Sequence, residues 1–239
     1  MVSLAGAFKP VKAGTKTSHI VFILDDSASM GSIRDLMISA FNEFVAGQRA
    51  GEIEKNVPTF VTLYKFDGYN VTRVYSRVPV SIVPQLDREN YKASGGSTNL
   101  QDAFGAVMIE VNNDLKKLKK ADRDSILIGV LTDGQENSSR VFGATDIKQM
   151  VEKAGGANWG FQFFGANINA FAVGSTYGFS VENTMQFNTQ NVEATMRGAT
   201  RMANDMKAAY ASGMNSAMAY TTFGFTDQER SASVGGSDD

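Results

Sequence analysis

An aspartate and two serines follow an apolar run of strand length, at a spacing of two residues: Asp25, Ser27 and Ser29. Carboxylate and hydroxyl oxygens that are grouped where a strand opens into a loop suit a hard divalent cation. Mg2+ takes about six oxygen ligands in near-octahedral geometry. Two further oxygen donors stand near predicted element ends, Thr98 and Asp133. The residue types and their spacing therefore predict a metal site made from these five side chains.

Segments typical of strands and of helices alternate along most of the chain. Nearly continuous apolar runs are separated by segments whose apolar residues recur at helical spacing, which predicts a mostly parallel sheet with helices on both faces. Only residues 67–70 separate the second strand from the third, so these two form a hairpin and the third is an antiparallel edge strand. The strands are expected at residues 19–25, 58–66, 71–76, 125–132, 159–165 and 181–187, and the helices from residue 33 and at residues 99–119, 144–154, 168–177 and 192–214.

The predicted sheet brings the candidate metal ligands together. Asp25 and Asp133 each follow a buried strand, and ligands of open parallel sheets bind beyond the carboxyl ends of the strands. Neighbouring strands are about 4.8 Å apart, so two carboxylates at adjacent strand ends can face one ion. Thr98 ends the sequence Gly-Gly-Ser-Thr at the start of a predicted helix, where glycines allow a close approach of the backbone. We expect the three segments to converge on one point.

These three segments resemble the metal-ion-dependent adhesion site of von Willebrand factor type A domains. All five positions of that site are matched, in the same order along the chain: Asp25, Ser27, Ser29, Thr98 and Asp133. The position between the two serines, often glycine in the family, is Ala28 here. The resemblance covers residues 18–206, and residues 161–169 also resemble stand-alone bacterial and phage members of the family.

The resemblance implies a role for each of these side chains. Ser27 and Ser29 would bind the cation directly through their hydroxyls, and Thr98 would bind directly in one state and through water in another. Asp25 and Asp133 would hold coordinating waters or approach the ion themselves. Neutral oxygens leave most of the cation's charge uncompensated, so a carboxylate from a partner protein can complete the octahedron. The implied function is Mg2+-dependent binding of a protein partner that supplies a Glu or Asp, with Mn2+ or Ca2+ as alternative ions.

The resemblance also implies an α/β, Rossmann-like fold in a single domain over residues 18–225. Residues 1–17 are mostly small, polar or basic and are predicted to form an N-terminal arm. Residues 226–239 are polar and small, which predicts a disordered tail. Family members often couple the metal site to movement of the last helix, expected here at residues 192–214, so a partner-linked switch is a further hypothesis.

Composition excludes several classes of protein. The chain has no cysteine, so disulfides, thiolate nucleophiles and Cys-bound zinc are excluded. A net charge of -2 gives no electrostatic footprint for nucleic acid. No stretch approaches the roughly 18 apolar residues that a membrane span needs, and residues 1–17 lack the features of a signal peptide. We therefore expect a cytoplasmic protein, in the host cytoplasm if it is phage-encoded, with neither a nucleic-acid nor a membrane partner.

Three alternatives to the adhesion-type site stay open. Asp-x-Ser-x-Ser by itself also fits the region before a helix, because Asp and Ser are favoured there. A Mg2+-dependent phosphohydrolase also has carboxylates at strand ends, although an aspartyl nucleophile would want a second carboxylate where this chain has Ser27, together with a lysine. A structural phage or assembly component could use the metal only for stability. The one histidine, His19, begins a strand, so His-based triads are excluded and we expect a protein that is not an enzyme.

Overall fold

A computed structural model describes residues 7–12, 14–134 and 136–235 of the chain. Within these ranges one sheet of six strands has the order β3-β2-β1-β4-β5-β6. The strands are β1 (Ser18–Asp25), β2 (Thr59–Phe66), β3 (Val71–Pro79), β4 (Ser125–Thr132), β5 (Gly160–Ala166) and β6 (Thr184–Phe187). The pairs are parallel except β2 with β3, which form the predicted hairpin, so the antiparallel edge strand is confirmed.

Helices cover both faces of the sheet, and the predicted α/β class is confirmed. They are α1 (Arg34–Lys55), α2 (Leu100–Lys116), α3 (Ala144–Gly156), α4 (Ala170–Thr176), α5 (Val192–Ala211), α6 (Ser216–Phe223) and α7 (Asp227–Val234). Helices α1 and α5 contribute to the hydrophobic core on one face, and α2 and α3 to the core on the other. This is the Rossmann-like fold of von Willebrand factor A domains.

Strand β1 shows why the central strands are nearly continuous apolar runs. Successive side chains of a strand point to opposite faces, and here both faces are covered. Phe22 packs edge-on against Phe41 of α1, with 5.4 Å between the ring centroids. Its neighbours Val21 and Ile23 belong to the other core, with Phe104 of α2. A strand buried in this way ends with its polar residues directly beyond the core, at the carboxyl edge of the sheet.

The predictions for the C-terminal part of the chain were wrong in two respects. The helix expected at residues 192–214 is α5, but α6 and α7 follow it, so it is not the last helix. The disordered tail expected from residue 226 begins instead with α7, which packs on α5 and β6. The hydroxyl of Ser233, fully buried, donates to the main-chain carbonyl of Gln186 at 2.6 Å. Residues 236–239 of that tail lie outside the described residues.

The N-terminal arm packs on the edge of the domain where residues 7–12 are described. Phe8 and Val11 are buried, and the indole N–H of Trp159 donates to the carbonyl of Lys9 at 3.0 Å. Residues 1–6 and 13 of the predicted arm lie outside the described part of the chain. None of the described helices combines the length and the apolar character that crossing a membrane requires.

Candidate metal centre

Asp25 lies at the carboxyl edge of the sheet, where β1 runs beside β4. Its side chain is fully buried. One carboxylate oxygen, Oδ2, accepts a hydrogen bond of 2.5 Å from the Thr132 hydroxyl at the end of β4, and Oδ1 accepts one of 2.9 Å from the N–H of Ser27. Both oxygens therefore have fixed directions.

The two serines and Asp133 form a chain of hydrogen bonds above this carboxylate. The hydroxyls of Ser27 and Ser29 are 3.1 Å apart, and the Ser29 hydroxyl donates to Asp133 Oδ1 at 2.7 Å. The two serines lie at the entry to a short 3-10 turn that leads into α1. Because β1 ends at Asp25 beside β4, the turn that follows places the Ser29 hydroxyl next to Asp133, just beyond the end of β4.

Thr98 reaches the same place from the loop before α2. Gly95 of that loop forms an isolated parallel bridge with Ser27. A Cβ atom added to Gly134 would lie 2.9 Å from the Thr98 Oγ1 atom, so the Thr98 hydroxyl lies directly against the residue after Asp133. The structure thus brings the five predicted ligand residues together, from three segments that are far apart in sequence.

Within the part of the chain that the structure describes, the carboxylates of this cluster have no positive partner. Burial raises the pKa of Asp25 to about 6, and burial also raises the pKa of Asp133. Among the described residues, neither carboxylate takes part in an ion pair. Removing ionised carboxylates from water is costly unless they are paired or face a cation. Two carboxylates and three hydroxyls, all oxygen donors, fit a hard divalent cation such as Mg2+.

No group of three or more His, Cys, Asp or Glu side chains suited to a metal occurs within the part of the chain that the structure describes. The candidate centre has only two carboxylates, and its other oxygens are hydroxyls of Ser27, Ser29 and Thr98. The centre would therefore depend on hydroxyls for most of its ligand side chains.

Asp26 supports the centre through contacts with residues outside the cluster. Its Oδ2 atom accepts from the Lys65 ammonium at 2.8 Å, and its Oδ1 atom accepts from the N–H of Ala93 at 2.6 Å. Ala93 has a positive φ of 49°. The main chain of Asp26 also accepts from the N–H of Gly95 at 2.9 Å. Asp26 therefore fixes the start of the loop that carries Thr98, through contacts with residues that are distant in sequence.

Three further supporting residues were not identified from the sequence. The Asn137 side chain accepts from the N–H of Thr98 at 2.9 Å, and the N–H of Asn137 donates to the Thr98 carbonyl at 3.1 Å. The Tyr91 hydroxyl donates to the carbonyl of Asp25 at 2.8 Å. The Glu136 carboxylate accepts from the N–H of Gln101 at 2.9 Å and so ties the loop after β4 to α2. These contacts join distant segments, and no local spacing signals them.

No protein-family model and no curated protein sequence matches the chain. Solved structures do resemble it. The pilus adhesin SpaC from Lactobacillus rhamnosus GG, in an open conformation, gives a TM-score of 0.60 at 15% identity, over 82% of this chain and 31% of that one. Proximal thread matrix protein 1 from the mussel byssus gives 0.56 at 11% identity, over 85% of this chain and 50% of that one.

A second structure of the mussel protein is described as having a zinc-occupied MIDAS motif, the metal-ion-dependent adhesion site. It gives a TM-score of 0.55 at 10% identity, again over 85% of this chain and 50% of that one. The chain thus spans half the length of the mussel protein and about a third of the adhesin. At these identities the comparisons show the fold.

Proposed function

We propose that this chain is a divalent-cation-dependent protein interaction module. Its Mg2+ would lie at the carboxyl edge of the sheet and bind a Glu or Asp of a partner protein. The observation that carries the proposal is the convergence of three hydroxyls and two carboxylates, of which the carboxylates have no cationic partner among the described residues. The zinc-occupied MIDAS motif reported for the mussel protein, which shares the fold, supports the choice of a metal.

The hydroxyls and the carboxylates of this site would have different roles. Ser27, Ser29 and Thr98 would hold the cation through neutral hydroxyls, and Asp25 and Asp133 would orient its waters or approach it directly. The bound metal supplies a positive charge that these ligands only partly neutralise. A partner's carboxylate therefore gains a charge-assisted contact in a place that is partly withdrawn from water.

The environment of Asp25 argues against the phosphohydrolase alternative. The carboxylate is fully buried, and hydrogen bonds from the Ser27 N–H and the Thr132 hydroxyl hold it behind the serine hydroxyls, which suits a group that orients the site better than a nucleophile that a substrate must reach. Lys65 is the lysine beside the site, and it is paired with Asp26 instead of facing the cluster. These contacts support a binding role over catalysis.

Titration calorimetry with Mg2+ tests the metal site. Ser27→Ala removes one buried hydroxyl from the cluster and should weaken Mg2+ binding at least tenfold, on the order of the loss expected when a ligand or its support is removed. Ser32→Ala is the matched control, because Ser32 is an exposed serine of the same 3-10 turn. Equal Mg2+ affinity in the two variants would contradict the proposal.

Two activity measurements separate the proposal from its alternatives. The wild-type chain should capture acidic peptides from a displayed random library in Mg2+ and release them in EDTA, which a metal that only stabilises the fold would not do. With p-nitrophenyl phosphate and Mg2+ we expect no turnover. Turnover that is lost in Ser27→Ala would favour the phosphohydrolase.

A further inference from the structure

The β2–β3 hairpin turn packs against the loop that carries Thr98. Gly68 of the turn lies against the Ser97 side chain, and Gly95 of the loop lies against Asp67, each so closely that an added Cβ would overlap its neighbour. The two glycines therefore let two pieces of main chain meet directly. This contact fixes the hairpin turn beside the candidate metal centre.

Tyr69 is held in an exposed position by this packing. Its side chain is 80% exposed, and its Cε2 atom is 3.3 Å from the place that a Cβ on Gly96 would occupy. Asp67 Oδ1 accepts from the N–H groups of Tyr69 and Asn70, at 2.7 and 2.9 Å, so the main chain of the turn is fixed. The Tyr69 ring thus lies against the main chain at Gly96, and Gly96 is two residues before Thr98 in the sequence.

An exposed aromatic ring on a fixed main chain loses little freedom when it binds, and Tyr is enriched among the residues that dominate protein interfaces. The carboxylate of the neighbouring Asp67 already accepts two N–H groups. Val71 adds a second exposed apolar side chain on the same hairpin. The surface next to the metal centre is therefore aromatic and apolar at this point.

We propose that Tyr69 determines which acidic segments the metal centre accepts, by contacting an apolar side chain two residues from the carboxylate that binds the metal. The proposal rests on the function proposed above. The Tyr69 ring lies against Gly96, and Gly96 is two residues before Thr98 in the loop. Side chains on one face of an extended segment also repeat every two residues, about 6.6 Å. The partner segment of this proposal is therefore extended and carries Asp or Glu and an apolar residue at spacing two.

Selection of displayed random peptides on the immobilised full chain tests this assignment. Peptides bound in Mg2+ and eluted with EDTA should be enriched in an acidic residue with an apolar residue two positions away. On the Tyr69→Ala variant the acidic enrichment should stay and the apolar enrichment should disappear. Ile53→Ala is the control, because Ile53 is 84% exposed near the C-terminal end of α1, at the opposite end of the sheet.

A synthetic peptide from the wild-type pool gives the quantitative result. The peptide should bind Tyr69→Ala about tenfold more weakly than wild type, as expected for the loss of an aromatic hot spot. It should bind Ile53→Ala as tightly as wild type, and both variants should bind Mg2+ with wild-type affinity. Replacing the peptide's apolar residue with Gly should make wild type and Tyr69→Ala equal. If the apolar enrichment on Tyr69→Ala equals that on wild type, the role of Tyr69 is overturned and the proposed function stands. Absence of acidic enrichment on wild type would overturn the proposed function as well.

Discussion

Single hydrogen bonds orient the oxygens of the candidate metal centre. Thr132 is fully buried, and its hydroxyl donates to Asp25 at 2.5 Å and accepts from the N–H of Gly134 at 3.1 Å. It therefore links the carboxylate at the end of β1 to the loop after β4. Four of the five candidate ligands could be identified from the sequence because they follow strand ends, and Thr98 because it precedes a predicted helix, but the hydrogen bond from Thr132 depends on which strands are neighbours.

Thr132→Val keeps the side-chain volume and removes this hydroxyl. We expect Mg2+ affinity to fall about 10–100-fold, because residues that orient metal ligands typically contribute that much. Calorimetric titration of the folded variant measures the loss, and circular dichroism without metal checks the fold. Thr132→Ser keeps the hydroxyl and should bind Mg2+ like wild type. Wild-type affinity in Thr132→Val would show that this hydrogen bond does not orient Asp25.

His19 gives the fold a dependence on pH that is separate from the metal centre. Its Nε2 atom is 2.7 Å from the Thr62 hydroxyl. Burial lowers the pKa of His19 from 6.5 to about 4; the nearby Arg77 also lowers it, and Asp124 opposes the shift. Between pH 4 and pH 6.5, His19 is protonated more often in the unfolded chain than in the folded one. The stability from neutral His19 is therefore complete above pH 6.5 and is lost as the pH falls towards 4.

Urea unfolding at pH 7 and pH 5 tests this dependence. The free energy of unfolding should fall by up to about 1.4 kcal/mol per pH unit more in wild type than in His19→Gln, which cannot titrate. The comparison with the variant removes the contribution of the carboxylates. Identical pH dependence in the two proteins would contradict the assignment.

At the scale of elements, α1 and α5 approach closely through glycine. An added Cβ on Gly47 would overlap the Thr200 side chain of α5. Thr200 is β-branched and has little freedom to rotate within a helix. The Asn204 amide donates to the Gly47 carbonyl at 3.3 Å across the same contact.

Gly47→Ala should therefore destabilise the chain by about 1–3 kcal/mol, the usual cost of overpacking. Gly155→Ala in α3 is the matched control, since an added Cβ there meets no atom within 4 Å. That substitution should stabilise the chain by about 0.5–1 kcal/mol, because alanine loses less freedom in a helix than glycine. Chemical denaturation measures both changes, and equal effects would refute the close packing.

Helix α7 shows which element signals in the sequence were missed. Thr226 and Glu229 form a capping box, in which the Thr hydroxyl accepts from the N–H of Glu229 at 3.2 Å and the Glu carboxylate accepts from the N–H of Thr226 at 2.9 Å. Thr-x-x-Glu is the spacing of a helix start, and it lies in the segment whose polar composition predicts a disordered tail. Arg201 of α5 donates from Nε to Glu229 Oε1 at 2.6 Å, and no local sequence pattern indicates this contact between the two helices.

At the scale of the whole molecule, alternation of strands and helices was enough to predict the sheet class, the hairpin and the edge at which the ligands meet. Parallel pairing of β1 with β4 then places Asp25 next to Thr132 and so next to Asp133. Sequence periodicity reports burial but not the order of strands. The long-range contacts of Asp26 and Asn137, and the position of the Tyr69 ring against Gly96, depend on that order and have no signal in the sequence.

A crystal structure grown with Mn2+ in place of Mg2+ tests the central claim most directly. We predict one strong anomalous peak at the carboxyl edge of the sheet, within direct coordination distance of the Ser27 and Ser29 hydroxyls. A carboxylate or a water should occupy the position that faces solvent. The absence of a peak at this place, or a peak held by other residues while both hydroxyls stay uncoordinated, would contradict the account.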